Sequence, residues 1–347
     1  MAPHDIVERP SCPDVEVIGL PRALLWYRYG TLWTTFFESL GKKVVTSRPT
    51  DRDILERGEA ISGDECCLAS KIFMGHVDSL IGSCDALFIP SMRDLGLHRS
   101  FCTKFQSLPD LTASTFADRN PRILSCLIAR VKDAEPDEAH RKLARELGAS
   151  GKEAKRAYKE ALRALERVED AAADAQKRTL QELREARTAQ SRQPSQSRQP
   201  NPARGTAILI AAHSYIAHDP FLGGEIARML DSMGATVLYA DETDRRAAYR
   251  ASEGFSQTMP WIVNREIAGS IELLRGEVDG IVLASAFPCG PDSMTSDAIV
   301  RCLSGTPVLN LTIDSQSGTA GLETRLESFV DILRYQKRGG YVHELAS

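Results

Sequence analysis

The sequence predicts an α/β protein built of two doubly wound, parallel-sheet domains with a helical insert between them. Short apolar runs alternate with amphipathic helical stretches, and the same strand–loop–helix–strand unit occurs twice, starting near residues 15 and 206. A charged, Ala-rich segment of different character separates the two units. Alternating strands and helices imply parallel sheets covered by helices, with ligands bound beyond the carboxyl ends of the strands. The 347 residues suffice for two domains with their own cores, and 42% apolar with 26% charged residues excludes a wholly disordered chain.

The first unit, expected over 15–132, opens with the apolar run VEVIGL. A polar and aromatic loop (PRALLWYRYGTLW), a helical stretch (TTFFESLGKK) and a second strand (VVTS) follow. The second, expected over 206–337, repeats this order as TAILIAA, HSYIAHDP, FLGGEIARMLDSMG and ATVLYA. Each unit then carries a later buried strand preceded by an Asp, CDALFIP and VDGIVLAS, and a following loop with a cysteine, Cys102 or Cys289. The two carboxyl edges are expected to oppose each other across a cleft. The insert, 133–190, reads over 151–187 as one or two long helices. Its stripe of Ala157, Ala161, Leu165, Val168 and Ala172 suits shallow packing, on its own domains or on a partner. The Ser-, Gln-, Arg- and Pro-rich stretch 191–205 reads as a linker, and 1–14 and 338–347 as tails.

No run of about 18 apolar residues is present to span a bilayer, and MAPHDIVERPSCPDVE lacks the apolar core of a signal peptide, so a cytoplasmic protein without membrane contact is expected. A net charge of −4 gives no general attraction to nucleic acid. Eight cysteines are many for a reducing compartment, where cysteine serves as metal ligand or small buried hydrophobe rather than in disulfides.

Cys67 stands in DECCLASKIFMGHVDSL, where Leu68, Ile72, Val77 and Leu80 mark a helical face beginning beside it. A helix N-terminus stabilises a thiolate, which suits a metal ligand or a reactive thiol; Cys66 is the neighbouring alternative. Cys102 has Lys104 close by, and Cys289 with Gly290 lies between two prolines in a turn that can offer N–H groups to sulfur. No C-x-x-C spacing joins them, so spacing alone leaves metal site and core open, and zinc on three cysteines plus His98 or His213 is a competitor. Cys84, Cys126 and Cys302 read as core. His213 and Asp219, in the loop after the first strand of the second unit, are candidates for acid–base work or for capping a turn and helix. Asp314 and Arg325 read as a structural pair near a strand end. No phosphate loop, dinucleotide fingerprint or nucleophile elbow is present, so the chain is not expected to hydrolyse ATP itself.

The stretches IGLPRALLWYRYGTLWTTFFESLG, GDECCLASKIFMGHV, FCTKFQSLPDL, HSYIAHDPF, SAFPCGPDSM and TIDSQSGTAGLETRLESFVD resemble the acyl-CoA dehydratase (2-hydroxyglutaryl-CoA dehydratase) D-component family, and more closely its activase-related branch. The resemblance implies Rossmann- or flavodoxin-like domains with a [4Fe–4S] cluster in the interdomain cleft. The family's D-E-x-C-L cysteine falls on Cys67, the cysteine before K-x-x-x-L-P-D on Cys102, and that of C-G-P-D on Cys289. Three thiolates leave one iron open to substrate or water. The implied partners are an ATP-dependent activase, which delivers a low-potential electron, a CoA thioester or similar small substrate, and a second copy or homologous subunit. Two departures stand out: Ser315, Gln316 and Thr319 where relatives carry acidic or His residues, and Ala69 where a Pro is usual. The first leaves proton transfer and substrate choice open; the second bears on rigidity rather than ligation.

Three functions are therefore weighed: a catalytic or electron-delivering iron–sulfur component, a non-catalytic adaptor for an activase or dehydratase with a structural cluster or zinc, and a zinc-stabilised α/β protein.

Overall fold

The computed structural model describes residues 12–96, 99–192, 205–316 and 319–337. Most of the expected tails and linker, and His98, lie outside the described residues. The first half runs β1 (Val17–Leu20), α1 (Trp26–Ser39), β2 (Lys43–Thr46), α2 (Arg52–Ile61), α3 (Leu68–Leu80), β3 (Ala86–Phe88), β4 (Ser91–Met92), α4 (Thr103–Thr115), β5 (Ile123–Leu124) and β6 (Leu127–Ile128). Two helices follow, α5 (Pro136–Glu146) and α6 (Gly151–Arg192). The second half runs β7 (Thr206–Ala211), α7 (Ser214–Ala217), α8 (Gly223–Ser232), β8 (Ala235–Tyr239), α9 (Arg245–Ala251), α10 (Ile262–Leu274), β9 (Gly280–Ala286), α11 (Gly290–Cys302), β10 (Val308–Ile313) and α12 (Thr319–Lys337).

The two sheets have the same topology. The first is ordered β2-β1-β3-β5 and the second β8-β7-β9-β10, with every pairing parallel, while β4 and β6 form a small parallel pair. The strand order reverses between β1 and β3 and between β7 and β9, which makes the carboxyl ends of these strands the ligand-binding edges. The fold is α/β, doubly wound and Rossmann-like, as the alternating pattern predicts. All residues of β7 and β9 are buried, as central parallel strands covered on both faces require.

The Asp before the later strand has one role in both halves. Asp85 Oδ2 accepts the N–H groups of Glu16 (2.9 Å) and Val17 (2.8 Å), and Asp279 Oδ2 accepts that of Ala207 (2.7 Å). Each carboxylate thus holds the beginning of the first strand of its own sheet.

The aromatic loop expected after β1 is largely helix, since α1 begins at Trp26. Its aromatic residues are a packing face: Trp33 and Phe37 meet Phe88 of β3 at 5.5 and 4.9 Å between ring centroids. A polar-looking stretch became helix because one side of it is buried. Between the halves, Gly148 ends α5 in the left-handed region (φ 89°), and Ser150 and Glu153 form a reciprocal capping box that starts α6.

α6 docks on its own chain, along both halves. Ala154, Ala157 and Ala161 are fully buried and Leu165 nearly so, in the core shared with α1. Val168, expected in the same stripe, is 52% exposed, because beyond Leu165 a different face takes over. Leu180 and Leu183 then join the core of the second sheet, and Arg184 and Arg187 pair with Glu277 and Asp279. Cys302, expected in the core, is exposed in the last turn of α11. Cys126 is buried between β5 and β6, and Cys84 is half-buried just before β3. No helix among the described residues is long and apolar enough to cross a membrane.

Candidate functional site

Cys67, Cys102, Cys289 and His213 each occupy the N-cap position of a helix, respectively α3, α4, α11 and α7. Extended backbone at these four residues (ψ 150°, 140°, 113° and 144°) turns the chain from loop into helix at the binding edge. All four line one cavity of about 40 Å³, together with Leu24, Phe101, Phe105, Tyr215, Trp261 and Asn264. Residues from both halves wall it, and Leu24 enters with a left-handed backbone (φ 51°), a conformation unfavourable for leucine.

Backbone bonds between the halves hold the cysteine loops together. Leu68 N–H donates to Phe287 O (2.8 Å), joining the loops of Cys67 and Cys289. Ser100 N–H donates to Pro260 O and Ile262 N–H to Ser100 O, both at 2.9 Å, joining the Cys102 loop to the start of α10. Gly290 is the first residue of α11, and a Cβ added there would meet nothing within 4 Å, so internal packing does not demand a glycine.

Burial pushes the Cys67 thiol above its ordinary pKa; the Ser70 amide and Lys104 act against this, and Cys102 and Cys66 reinforce it. Cys289 is driven far up by burial and by the Asp292 carboxylate. A bound cation reverses this balance, since coordinating thiols lose their protons to the metal. Among the described residues, no three of His, Cys, Asp or Glu are gathered around a single ion position. Three thiols and the His213 imidazole on separate loops of one cavity are donor types that iron and zinc both accept.

His213 and Asp219, paired in the sequence reading, have different surroundings. His213 Nε2 lies 2.8 Å from Asp292 Oδ1, which also accepts from Asn264 Nδ2 at 2.9 Å. Burial works to raise the Asp292 pKa, but His213, Asn264 and the Cys289 thiol overcome it and hold the carboxyl below its ordinary value. Asp219 instead accepts from Tyr27 OH (3.0 Å), from the Thr50 hydroxyl and from Phe221 N–H (2.9 Å). Through Thr50 it continues to His76 and Ser47, forming a buried polar chain between the halves. Asp219 does not line the cysteine cavity. Asp292 and Asn264 were not singled out from sequence; the available signal was that Asp292 follows Cys289 by three residues, one helical turn into α11.

Outside this cavity, Arg52, Arg325, Leu311 and Leu322 line a groove of about 630 Å³. Asp314 and Ser315 continue it into a second hollow of about 350 Å³ bounded by Cys66, Lys71, Leu68 and Phe287. Leu68 and Phe287, joined by their backbone bond, line this hollow, and Cys67 and Cys289, close to them in the chain, line the cysteine cavity. Arg325 does not pair with Asp314: its Nη2 donates to Asn310 O at 2.6 Å.

The family model described as "CoA enzyme activase uncharacterised domain" matches residues 17–242. A search among curated proteins returns no match. Two solved structures align over 92% of this chain and 99% of theirs, at 14% identity and a TM-score of 0.23. They are a Mn-bound serine-to-alanine mutant and a metal-free tyrosine-to-phenylalanine mutant of a periplasmic metal binding protein from candidatus liberibacter asiaticus. That TM-score is too low for a shared fold.

Proposed function

The chain belongs to the family of the CoA enzyme activase uncharacterised domain, and on that premise we propose that it is the iron–sulfur component of a 2-hydroxyacyl-CoA dehydratase-type or related ATP-driven reductive system. Cys67, Cys102 and Cys289 would hold one [4Fe–4S] cluster, with one iron left free of thiolate. The observation that carries this reading is that these cysteines, from three separate loops and both halves, line one cavity at the binding edges of the two sheets.

When bound, such a cluster supplies one-electron chemistry. The chain's own residues do the rest. The helix N-termini behind the three sulfurs stabilise thiolate charge, and Lys104 adds a cation. Phe101, Phe105, Tyr215 and Trp261 keep the cavity apolar and exclude water. The outer groove suits a CoA thioester: Arg52, Arg325 and Lys71 offer cations to phosphates, and the apolar floor suits the pantetheine arm, which would reach the cysteines past Leu68 and Phe287. An ATP-dependent activase is the electron source that the family membership suggests. The adaptor alternative leans on a partner-binding helix, and most apolar residues of α6 are buried on its own chain, with Leu162 and Val168 left exposed.

The test is anaerobic purification followed by assay of iron, acid-labile sulfide and zinc, with EPR of the dithionite-reduced protein. Iron and sulfide in wild type, depleted or altered in Cys67→Ser, Cys102→Ser and Cys289→Ser but kept in Cys84→Ser, support the proposal. Zinc alone, or no metal after anaerobic reconstitution, removes it and leaves a structural or adaptor protein.

A further inference from the structure

One group in the cavity has an unused bonding position. His213 is 6% exposed and its ring lies against Tyr215, with centroids 4.9 Å apart. Asp292 Oδ1 sits 2.8 Å from Nε2, so that ring nitrogen has its partner. The other, Nδ1, is buried with no hydrogen-bond partner. A histidine that gives one ring N–H to a carboxylate and keeps the other nitrogen bare has the arrangement of a metal ligand with its orienting partner. His140 also has a bare buried nitrogen, Nε2, but its neighbours are the rings of Phe36 and Tyr158 rather than thiols.

We propose that His213, through Nδ1, is the fourth protein ligand of the metal group held by Cys67, Cys102 and Cys289, closing the position that three thiolates leave free until a substrate displaces it. This rests on the cluster reading above. Asp292 is the positioning residue: it holds His213 and stands one turn into α11, the helix that Cys289 caps. Asn264 steadies the same carboxylate oxygen. A neutral imidazole in place of a fourth thiolate removes one negative charge, which raises the reduction potential and makes the ligand exchangeable.

The test uses the full chain, purified without oxygen, with natural and ¹⁵N-labelled histidine, reduced with dithionite and examined by pulsed EPR. A strong nitrogen coupling that changes with the label is expected in wild type. It should vanish in His213→Ala, return when imidazole is added to that variant, and weaken in Asp292→Asn. In the metal-free wild type, ¹⁵N NMR should find the His213 ring protonated at Nε2. Iron-loaded wild type without histidine nitrogen coupling, or the opposite tautomer in the metal-free chain, overturns the assignment whatever the variants do. A wild type without iron removes the cluster reading and this ligand with it.

Discussion

Arg28 of α1 and Glu266 of α10 face each other in a bidentate ion pair, with Nη1 and Nη2 at 2.5 and 2.9 Å from the two carboxylate oxygens, buried where the halves meet. The pair joins residues 238 apart in the chain and stands beside a second pair, Glu169 of α6 with Arg245 of α9. Removing one member leaves a largely buried charge without its partner. Glu266→Gln should therefore cost about 3–5 kcal/mol in urea unfolding, while the double change Arg28→Met with Glu266→Leu should recover most of that loss. A double variant as unstable as the single one would show that the charges themselves are needed.

Gly58 and Gly75 let α2 and α3 touch backbone to backbone. A Cβ at Gly58 would stand 1.9 Å from Lys71 O, and one at Gly75 would stand 1.9 Å from Ile54 O. Gly75→Ala must push α3 outward and carry its N-cap, Cys67, with it. Destabilisation of about 1–3 kcal/mol is expected, together with lower iron retention after anaerobic reconstitution. A stable Gly75→Ala variant with full iron would show that the crossing has slack.

Burial holds His76 and His140 neutral by lowering their pKa values from 6.5 to about 4. The unfolded chain takes up protons below pH 6.5 that the folded chain refuses until about 4. Stability contributed by these groups is thus complete above pH 6.5, falls as pH drops toward 4 and then levels. Each should account for about 3 kcal/mol across that window. Urea midpoints at pH 7.5, 5.5 and 4.5 should fall less steeply for a His76→Gln/His140→Gln variant; parallel slopes would assign the acid loss to carboxylates.

Gln176 of α6 closes the free edge of the second sheet. Its amide N–H donates to Tyr239 O at 2.9 Å, and its Oε1 accepts the Tyr239 N–H at 2.7 Å, imitating a neighbouring strand. Gln176→Ala should cost about 1–3 kcal/mol and speed hydrogen exchange at the Tyr239 amide. Unchanged exchange there would mean that the edge is protected by other means.

Much of the architecture is legible because parallel sheets leave a dense local record. TAILIA and GIVLASA are continuous apolar runs, as central strands must be, and the Asp before each later strand is the same residue doing the same work in both halves. The first turn of α1 was misread because Trp26, Tyr27 and Tyr29 are only partly buried, and the partner of Tyr27, Asp219, lies 192 residues away along the chain. Cys302 was misread because a cysteine near a helix end gives no sign of which face it takes.

By itself, the sequence determined the α/β class, the repeated unit and the helical insert, since strand and helix periods and capping residues act over a few neighbours. Only the tertiary structure decided which groups share a cavity. His213 and Asp219 are six residues apart, yet one pairs with Asp292 beside the cysteines and the other with Tyr27 and Thr50 in a separate buried chain. The physical reason is that hydrogen bonds to buried carboxylates are chosen by what the packed halves bring within about 3 Å, and those partners lie far off along the chain.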